Sequence, residues 1–506
     1  MPRRSGATVL LALLLACVLS VPARAARLTI LHTNDTHGHL APFRDTGGRG
    51  RDGTARAERE IGGIARRATL IRDVRDACRA RGEAVLVIDA GDFCDGTSFS
   101  TEYRGAADLA AMRAAGYDYL TLGNHEFNNT AAQVRRFVGG PGPRVLLANV
   151  LETDGRPLAA PWALLALDSL RVGLFGLVGE STAHYPPAVE AFRVLPVEST
   201  ARAVAGALRA MGADLVVLIS HCGLETDREL AGSAPELDVI VGGHSHSRLP
   251  AGEYFRPFQA SPADSLGTIV VQAHHWGAEL GRLDLDLARD AAGRWRVARH
   301  QAALLPVTGA LAPDAAVAAL VDSFWRPIAA KHEEVLGEAT ADFGSVRRPD
   351  GTRDQANYNL VCDAIRETFG TQVEMDNIGG VRAPLLGGPI TFADLVAMDP
   401  FDNTVVTYRV TGRDLKCILA EHRPAVSGLA YRVAGDRLVE VTVAGQPVRD
   451  DAVYTGASSS YFAPWGLKGI ECVDTGRKRI DVLSGYVRAQ KVLTPRYDGR
   501  RLVAED

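Results

Sequence analysis

The residues between Arg27 and Val307 repeat one pattern, in which a short apolar run rich in β-branched residues precedes a turn rich in Gly, Asp, Asn or His. Such runs predict strands that are buried within a sheet. They are LTILHT, AVLVIDAGD, YDYLTLGNHE, RVLLANV, RVGLFGLVG, DLVVLISH, LDVIVGGHSH and TIVVQAHH. Helical patterns, such as IGGIARRATLIRDVRDACRA and AADLAAMRAAG, lie between several of these runs. The alternation predicts an α/β fold in which layers of helix cover sheet.

The pattern changes in the second half of the chain. The stretch from Pro313 to Ala339 predicts one long helix that joins two domains. After it, a helix (NLVCDAIRETF) and short strands (NTVVTYRVTG, LVEVTVAGQPV) are separated by glycine-rich turns, which indicates a smaller α+β domain. The predicted segments are a leader at 1–25, a first domain at 26–310, a bridging helix or linker at 311–339 and a second domain at 340–506.

The first residues predict a secretory signal peptide. A basic start with Arg3 and Arg4 precedes an apolar run over residues 7–21 and an A-x-A site that ends at Ala25. The alternative is a lipoprotein anchored at Cys17. No later stretch has the ~20 apolar residues that a membrane span requires. We therefore expect a periplasmic or secreted protein without a transmembrane segment.

Composition narrows the choice of partners. The chain of 506 residues is 46% hydrophobic and 23% charged, which is typical of globular proteins and excludes a disordered chain. Its formal net charge is −4 and its arginines form no run, so we expect no nucleic-acid partner. The six cysteines beyond the leader permit disulfides, but small buried thiols are the favoured interpretation. The sequence decides neither cysteine pairing nor the oligomeric state.

Metal-binding side chains follow five of the predicted strands. In an open α/β sheet, polar groups beyond the carboxyl ends of the strands converge on one crevice. Any one of these residues alone has a structural explanation, such as a turn or a helix cap. Together they suit two divalent ions, and zinc, manganese, cobalt and iron all accept imidazole with carboxylate. The candidate ligands are Asp35, His37, Asp92, Asn124, His221, His244 and His246.

Five segments resemble the motifs of a known family. NDTHGHL, AGDFCDGT, LGNHEF, ISHCG and DVIVGGHSH are similar, in order, to those of the calcineurin-like metallophosphoesterases, in the branch of secreted 5'-nucleotidases and UDP-sugar hydrolases. The resemblance extends over nearly the whole chain after the leader. It implies a four-layer αββα sandwich for the first domain, followed by a smaller α+β substrate-binding domain.

The resemblance also implies roles for the ligands. Asp92 would bridge two ions, with Asp35, His37 and His246 around one, and Asn124, His221 and His244 around the other. Two ions held this way lower the pKa of a shared water, so that a metal-bound hydroxide attacks phosphorus. His125 would stabilise the transition state or protonate the leaving oxygen.

One neighbour of His125 departs from the 5'-nucleotidase pattern. Those enzymes pair this histidine with an aspartate three residues later, whereas GNHEFN has Asn128 at that position. An amide orients an imidazole but does not stabilise its protonated form by charge. A similar asparagine occurs in related 2',3'-cyclic-nucleotide phosphodiesterases, so a cyclic substrate is the first alternative.

In the second domain the resemblance implies substrate contacts. TRDQANYNL, DNIGGVR and DPFDN resemble the segments that bind phosphate and one face of the base, whereas SSSYFAPWG lacks the aspartate that would bind ribose hydroxyls. An unpartnered buried hydroxyl costs roughly 1 to 3 kcal/mol, so nucleoside specificity is less certain than phosphoester chemistry. The candidate substrate-binding residues are Arg353, Asn377, Gly379, Gly380, Arg382, Phe401, Tyr461 and Phe462.

The leading hypothesis is therefore a secreted two-metal phosphohydrolase that acts on 5'-nucleotides, with UDP-sugars as a further substrate class. The alternatives are a 2',3'-cyclic-nucleotide phosphodiesterase, a manganese thiosulfohydrolase with the same metal motifs and an inactive binding module. The similarity of NIGGVR and DPF to nucleotide-binding elements opposes the thiosulfohydrolase. The complete ligand set opposes the inactive module. The sequence decides neither the substrate nor the identity of the metals.

Overall fold

The computed structural model describes residues 26–45, 59–184, 190–255, 267–290 and 292–503. The predicted leader, with Cys17 and Ala25, lies outside the described residues. The chain divides into two compact units. The first holds the described residues up to Cys94 together with Gly105–Val321, and the second holds Asp95–Arg104 together with Asp322 onward. Among the described residues, no helix is long and apolar enough to span a membrane.

The first unit contains two six-stranded sheets. One sheet has, in spatial order, the strands Trp295–Pro306, Glu279–Arg289, Ala26–Thr33, Ala84–Asp89, Tyr119–Leu120 and Arg144–Val145. The other has Glu253–Phe255, Thr268–Val271, Val239–Gly242, Leu215–His221, Leu170–Val178 and Trp162–Leu167. The central strands of both sheets are parallel, as the strand–helix alternation predicts.

Alternate residues of these strands enter different cores. In the strand Leu215–His221, Val217 belongs to a core shared by both sheets, where it is grouped with Ile30 of the first sheet. Its neighbour Val216 belongs to a second core with Ala201 and Leu230, which lie on helices. Both faces of the strand are therefore buried, because successive side chains point to opposite sides of a sheet.

Helices cover the outer faces of both sheets in the first unit. Ile64–Ala80 and Ala106–Ala115 contact each other, and the first of them contacts the strand Ala84–Asp89. Val197–Ala210 and Leu224–Ser233 contact strands of the second sheet. The resulting order of helix, sheet, sheet and helix confirms the predicted four-layer αββα sandwich. The remaining elements of the unit are short.

The first unit also contains several short strands and helices. They are the hairpin Pro42–Asp45 and Arg59–Gly62, the strand pair Val150–Glu152 and Phe192–Val194, the helix Ala131–Gly139 and the 3₁₀ turns His125–Asn128 and Glu180–His184. The predicted strand RVLLANV is wrong as one element, because it divides into Arg144–Val145 and Val150–Glu152. These two pieces pair with different partners, one in the first sheet and one with Phe192–Val194.

The second unit is built around a five-stranded sheet. Its strands are Ala425–Ser427, Val373–Asp376, Val453–Ser459, Thr404–Thr411 and Cys472–Lys478. A four-stranded sheet consists of Gln446–Pro447, Arg437–Val443, Leu429–Ala434 and Arg501–Leu502. The smaller sheets are Gly388–Thr391 with Val335–Ala339 and Val492–Leu493, and Ser345–Arg347 with Arg353–Gln355.

Helices pack on both sides of the five-stranded sheet. Ala356–Phe369 and Arg479–Gln490 contribute to one core with Val405 and Ala457 of the sheet. Gly412–His422 contributes to another core with Val373. The remaining helices of the unit are Ser98–Tyr103, Ala329–His332, Phe392–Met398 and Ala463–Gly466. This mixture confirms the predicted α+β class of the second half.

The predicted long helix over Pro313–Ala339 is wrong. The structure has a helix at Ala315–Trp325, a short helix at Ala329–His332 and a strand at Val335–Ala339. Pro327 ends the first helix, because proline lacks an amide N–H and disfavours helical geometry in the preceding residue. The last part then pairs with the strand Gly388–Thr391 instead of continuing as a helix.

Candidate metal centre

The two sheets of the first unit deliver the seven predicted ligands to one place. Three neighbouring parallel strands of the first sheet are each followed by candidate ligands. Asp35 and His37 follow the first of these strands, Asp92 follows the second and Asn124 follows the third. His221 ends a strand of the second sheet, and His244 and His246 follow the adjacent parallel strand. The ends of parallel strands meet at one edge of a sheet, which is why residues so distant in the chain become neighbours.

Distances between side chains define two clusters, and Asp92 is shared in the sense that it belongs to one and its Oδ2 lies 4.0 Å from Nε2 of His37 in the other. Ligand atoms of Asp35, His37 and His246 lie within 4.8 Å of one another, and so do those of Asp92, His221 and His244. His37 and Asp92 also form such a group with His125, which joins the two clusters. All of these ligands except His244 and His246 are buried.

The amide of Asn124 completes the second cluster. Its Oδ1 lies 2.8 Å from Nδ1 of His244, and its side chain is buried. In the first cluster, Nε2 of His246 lies 3.3 Å from Oδ1 of Asp35 and 3.2 Å from Nε2 of His37. All seven predicted ligands therefore converge, in the two groups that the motifs imply.

The backbone at this site is strained. Asp35, His37, Asp92, His244 and His246 all have positive φ, between 46° and 73°. Left-handed backbone is uncommon for residues other than glycine and persists where the surrounding structure imposes it. Five of the seven candidate ligands adopt it, so the strain is concentrated at the site.

Two histidines have a fixed tautomer. Nδ1 of His37 lies 3.0 Å from the carbonyl oxygen of Cys94, and Nδ1 of His221 lies 2.6 Å from that of Ala90. A carbonyl oxygen only accepts, so both Nδ1 atoms carry the hydrogen and donate it. The lone pairs of both Nε2 atoms are then left for the site, as in metal-binding histidines.

These features fit a pair of divalent cations. His221 Nε2 is buried 3.1 Å from Oδ2 of Asp92, yet no described residue forms a well-aligned hydrogen bond with it. The Nε2 atoms of His37 and His246 lie 3.2 Å apart, close enough for one cation to contact both. Imidazole nitrogen and carboxylate oxygen are the donors that zinc, manganese, cobalt and iron accept. The residues present therefore match the group that the motifs imply.

Asp92 is the electrostatic centre of the site. Burial alone would raise the pKa of Asp92, but the adjacent His221 and His125 outweigh burial and hold the pKa of that carboxyl well below its usual range. Gly123 leaves room for the Asp92 carboxylate, since a Cβ added at Gly123 would lie 2.2 Å from Asp92 Oδ1. An ionised carboxylate that lies beside both clusters suits a bridging ligand.

His125 lies beside the shared carboxylate. Its backbone N–H donates to Oδ1 of Asp92 over 2.8 Å, and its Nε2 lies 3.9 Å from Oδ2. Nδ2 of Asn128 lies 3.3 Å from Nδ1 of the same imidazole. The predicted neighbour of His125 therefore does contact the ring, and it does so with an amide.

Sequence reasoning missed several residues that hold the ligands in place. The Glu126 carboxylate accepts hydrogen bonds from the backbone N–H groups of Asp92, Cys94 and Gly123. Asn34 Nδ2 donates to Asp35 Oδ2 over 2.7 Å. Both lie inside the motifs, within two residues of a candidate ligand, and that position is the signal that could have identified them.

Gln272 is a third supporting residue and is completely buried. Its Nε2 donates to the carbonyl oxygen of Gly243 over 2.9 Å. Its Oε1 accepts hydrogen bonds from the Ser245 hydroxyl, over 3.0 Å, and from the Ser247 backbone N–H. These contacts span the loop that carries His244 and His246. No spacing in the sequence links Gln272 to that loop.

Most of the predicted substrate residues lie at one end of the five-stranded sheet of the second unit. Asn377, Gly379, Gly380 and Arg382 follow the strand Val373–Asp376, and Tyr461 follows the strand Val453–Ser459. These two strands are parallel, so both loops leave the same end. Phe401 precedes the antiparallel strand Thr404–Thr411 and lies at that end as well. Arg353 is exposed on a separate short strand, directly before the helix Ala356–Phe369.

Phe462 does not have the predicted exposure. Its ring is completely buried and belongs to the hydrophobic core of the unit, so it offers no surface to a ligand. Trp465 packs edge-on against it with the ring centroids 4.7 Å apart and is itself 43% exposed. Of the predicted aromatic pair, Tyr461 is the residue that keeps a partly exposed side chain.

Comparisons with known proteins agree with this arrangement. Residues 28–248 match the family model of calcineurin-like phosphoesterases, and residues 335–474 match that of the 5'-nucleotidase C-terminal domain. The chain is 29% identical to a 5'-nucleotidase of Diplobatis ommata, over 99% of this chain and 94% of that protein.

Solved structures show the same similarity. The crystal structure of a 5'-nucleotidase precursor from Thermus thermophilus is 30% identical, with a TM-score of 0.82 over 95% of this chain and 100% of that one. The sulfate thiohydrolase SoxB of Thermus thermophilus shares the fold, with a TM-score of 0.78 over 95% of this chain and 97% of that one, at 21% identity.

Proposed function

Since this chain belongs to the calcineurin-like phosphoesterases that carry a 5'-nucleotidase C-terminal domain, a family of hydrolytic enzymes, we propose that it releases phosphate from 5'-nucleotides. The observation that carries the proposal is the convergence of Asp35, His37, Asp92, Asn124, His221, His244 and His246 at the ends of five strands. Two divalent cations bound there would activate water and stabilise charge on the phosphate. UDP-sugars are the second substrate class that we propose.

The chain's own residues have distinct tasks in this proposal. Asp92 lies between the two clusters of candidate ligands and would contact both ions. The backbone carbonyls of Ala90 and Cys94 hold His221 and His37 in the tautomer that leaves Nε2 for a cation. His125 lies beside the shared carboxylate but is held by Asn128 instead of by a charged partner. We assign it the donation of a hydrogen to the leaving oxygen.

We further propose a division of labour between two segments of the chain. Residues 26–310 would form the catalytic domain and residues 340–506 the domain that binds the nucleoside. Of the predicted linker 311–339, the strand Val335–Ala339 pairs within the second unit, so residues 311–334 would connect the two. Support for the second role comes from Asn377, Phe401 and Tyr461, whose segments leave one end of a single sheet. A partly exposed aromatic ring suits stacking against a base.

We propose that the protein acts in the periplasm or outside the cell. The support is the basic, then apolar, then A-x-A order of the first 25 residues. Cleavage after Ala25, detected by mass spectrometry of the mature N-terminus, is the expected result. Processing at Cys17 with an attached lipid would contradict it.

A panel of substrates tests the proposed reaction. Purified protein supplied with manganese, cobalt or zinc is given 5'-AMP, UDP-glucose, 2',3'-cyclic AMP and p-nitrophenyl phosphate. We expect the highest kcat/KM with 5'-AMP and loss of activity in His221→Ala. His300→Ala, which changes a histidine outside the candidate ligand set, is the control and should keep its activity. No release from any substrate would overturn the proposal.

One observation favours a second candidate function. Asn128 contacts His125 where 5'-nucleotidases have an aspartate, and related 2',3'-cyclic-nucleotide phosphodiesterases have a similar asparagine. If 2',3'-cyclic AMP has the higher kcat/KM in the same panel, the protein is a cyclic phosphodiesterase of the same family. Hydrolysis of a thiosulfonate substrate would instead indicate a thiosulfohydrolase. With the solved structure of such an enzyme this chain shares the fold alone.

A further inference from the structure

Three segments with proposed substrate contacts meet at one end of the five-stranded sheet in the second unit. Residues 377–382 follow Asp376, the last residue of its strand, and residues 460–462 follow Ser459 in the same way. Residues 399–403 precede the strand Thr404–Thr411, and Thr404 pairs with Lys478 at the end of a fourth strand. Arg479 is the next residue of the chain and begins a helix at this same end.

The Arg479 side chain is buried, and its guanidinium joins two of these segments. Its Nε donates to Oδ2 of Asp399 over 2.9 Å, and its Nη1 donates to Oδ2 of Asp376. Only 1% of the arginine side chain is exposed, and both carboxylates are equally inaccessible. In addition, the backbone N–H of Arg479 donates to the carbonyl oxygen of Asn403 over 3.0 Å.

Asp376 extends the connection to the third segment. Its Oδ1 accepts hydrogen bonds from the backbone N–H of Asn377, over 3.0 Å, and from the Ser459 hydroxyl, over 2.8 Å. The Ser459 oxygen in turn accepts the backbone N–H of Phe462 over 3.1 Å. Both serine and carboxylate are buried, so water does not compete for these bonds.

Asp399 is hydrogen-bonded to its own segment, residues 399–403, in a similar way. Its carboxylate accepts a hydrogen bond from the backbone N–H of Phe401, the residue proposed to stack on the base. Each of the three segments is therefore hydrogen-bonded to one network of Arg479, Asp376, Asp399 and Ser459. We name this network the loop anchor.

We propose that Arg479 is a positioning residue for substrate binding, because its guanidinium sets the relative placement of the three segments through the loop anchor. This inference rests on the proposed function, which supplies the role of the segments. The guanidinium is a planar fork that binds two carboxylates at fixed angles, whereas a lysine ammonium is a compact charge without that geometry. Lysine at this position would keep the charge and lose the placement.

The same unit contains a matched control. The Arg500 side chain is also largely buried, with 10% exposed, and it binds Asp363 on the helix Ala356–Phe369. It also contacts Asp498 and the carbonyl oxygen of Val426, but none of the three segments. Arg500→Lys therefore disturbs a buried ion pair in this unit without touching the loop anchor.

The test compares Arg479→Lys with Arg500→Lys in the full chain. For 5'-AMP we expect Arg479→Lys to raise KM on the order of 10-fold to 100-fold, as a small misplacement of binding groups does, with a much smaller change in kcat. Hydrogen exchange should quicken together in peptides that cover residues 377–382, 399–403 and 460–462. Arg500→Lys should leave KM and the exchange of these peptides unchanged.

A second variant covers the outcome that Arg479→Lys does not fold. Asp399→Asn keeps a hydrogen-bond acceptor and removes one charge, so exchange should quicken mainly in residues 399–403. The inference is overturned if Arg479→Lys gives the KM and exchange of the wild type, or if the three segments respond independently. A wild-type protein that hydrolyses no nucleotide would overturn the proposed function instead, and the exchange measurement would still decide whether Arg479 places the segments.

Discussion

Nδ2 of Asn128 lies 3.3 Å from Nδ1 of His125, so the imidazole next to the shared carboxylate Asp92 is oriented by an amide. An amide orients the ring by one hydrogen bond but does not stabilise by charge the cationic ring, which is the form that donates a hydrogen to a leaving oxygen and returns to neutral imidazole. A carboxylate at position 128 would accept a hydrogen from Nδ1 and stabilise a cationic ring.

Asn128→Asp should therefore help the departure of poor leaving groups. We expect kcat for 5'-AMP, whose leaving group is an alcohol, to rise several-fold, and kcat for p-nitrophenyl phosphate to stay nearly constant. His125→Ala should lower kcat for 5'-AMP on the order of 100-fold and affect the aryl ester far less. Equal changes with both substrates would show that His125 does not assist the leaving group.

Gln272 should control how firmly metal ions are held. Gln272→Ala removes three hydrogen bonds to the loop of His244 and His246, and loss of such outer contacts typically weakens metal affinity about 10-fold to 100-fold. Isothermal titration of the metal-free protein with manganese or zinc measures the change. Gln301→Ala, at an exposed position in the same unit, is the control. Identical dissociation constants in both variants would contradict the role of Gln272.

The aromatic residues of the second unit should separate into two kinds. Phe401→Ala and Tyr461→Ala should raise KM for 5'-AMP about 5-fold or more, because stacking of a base on an aromatic ring contributes about 1 to 3 kcal/mol. Phe462→Ala should instead lower the free energy of unfolding by about 3 to 5 kcal/mol, since its ring is completely buried. Urea denaturation and steady-state kinetics of the three variants distinguish these effects.

Glu374 should make the second unit less stable as the pH rises. Burial and the adjacent Asp376 carboxylate raise the pKa of Glu374 well above its ordinary value, and among the described residues neither of its oxygens has a well-aligned hydrogen bond. The folded state then keeps a proton that the unfolded chain releases above pH ~4.5. The free energy of unfolding therefore falls by about 1.4 kcal/mol per pH unit in the range between the two pKa values.

Glu374→Gln should remove that dependence. Its free energy of unfolding should exceed that of the wild type by a margin that grows from pH 5 to pH 8. Urea denaturation measures the free energy of unfolding. Hydrogen exchange of the strands Val373–Asp376 and Val453–Ser459 shows that the unfolding measured is that of the second unit. Glu421→Gln changes a largely exposed carboxyl and is the control. A margin that is constant with pH would show that Glu374 is ionised in the folded state.

The sequence predicted the fold class and the candidate metal ligands because their signals are local. Strand and turn alternate within a few residues, and Asp35 and His37, like His244 and His246, directly follow a buried run. The hairpin of Glu279–Arg289 and Trp295–Pro306 was not predicted, because the strand predictions rest on continuous apolar runs. In Glu279–Arg289 the signal is instead the alternation of polar and apolar residues, which is typical of a strand with one polar face. The end of the helix before Pro327 was not predicted either, because apolar residues continue beyond that proline.

Contacts between residues that are far apart along the chain could not be predicted from the sequence. Arg479 binds Asp376 from 103 residues away and Asp399 from 80, and no spacing rule connects them. Gln272 likewise reaches a loop 25 to 29 residues earlier through a sheet. The burial of Phe462 follows from packing of its ring in the core between strands and helices, which the segment SSSYFAPWG does not reveal.

The most direct test is a metal titration of the metal-free protein with release of phosphate from 5'-AMP as the readout. Activity should rise with added manganese, cobalt or zinc and stop rising at two equivalents per chain. Asp92→Asn, which alters the carboxylate shared by both clusters, should abolish that rise. A plateau at one equivalent, or activity that is independent of metal and of Asp92, would contradict a two-metal phosphohydrolase.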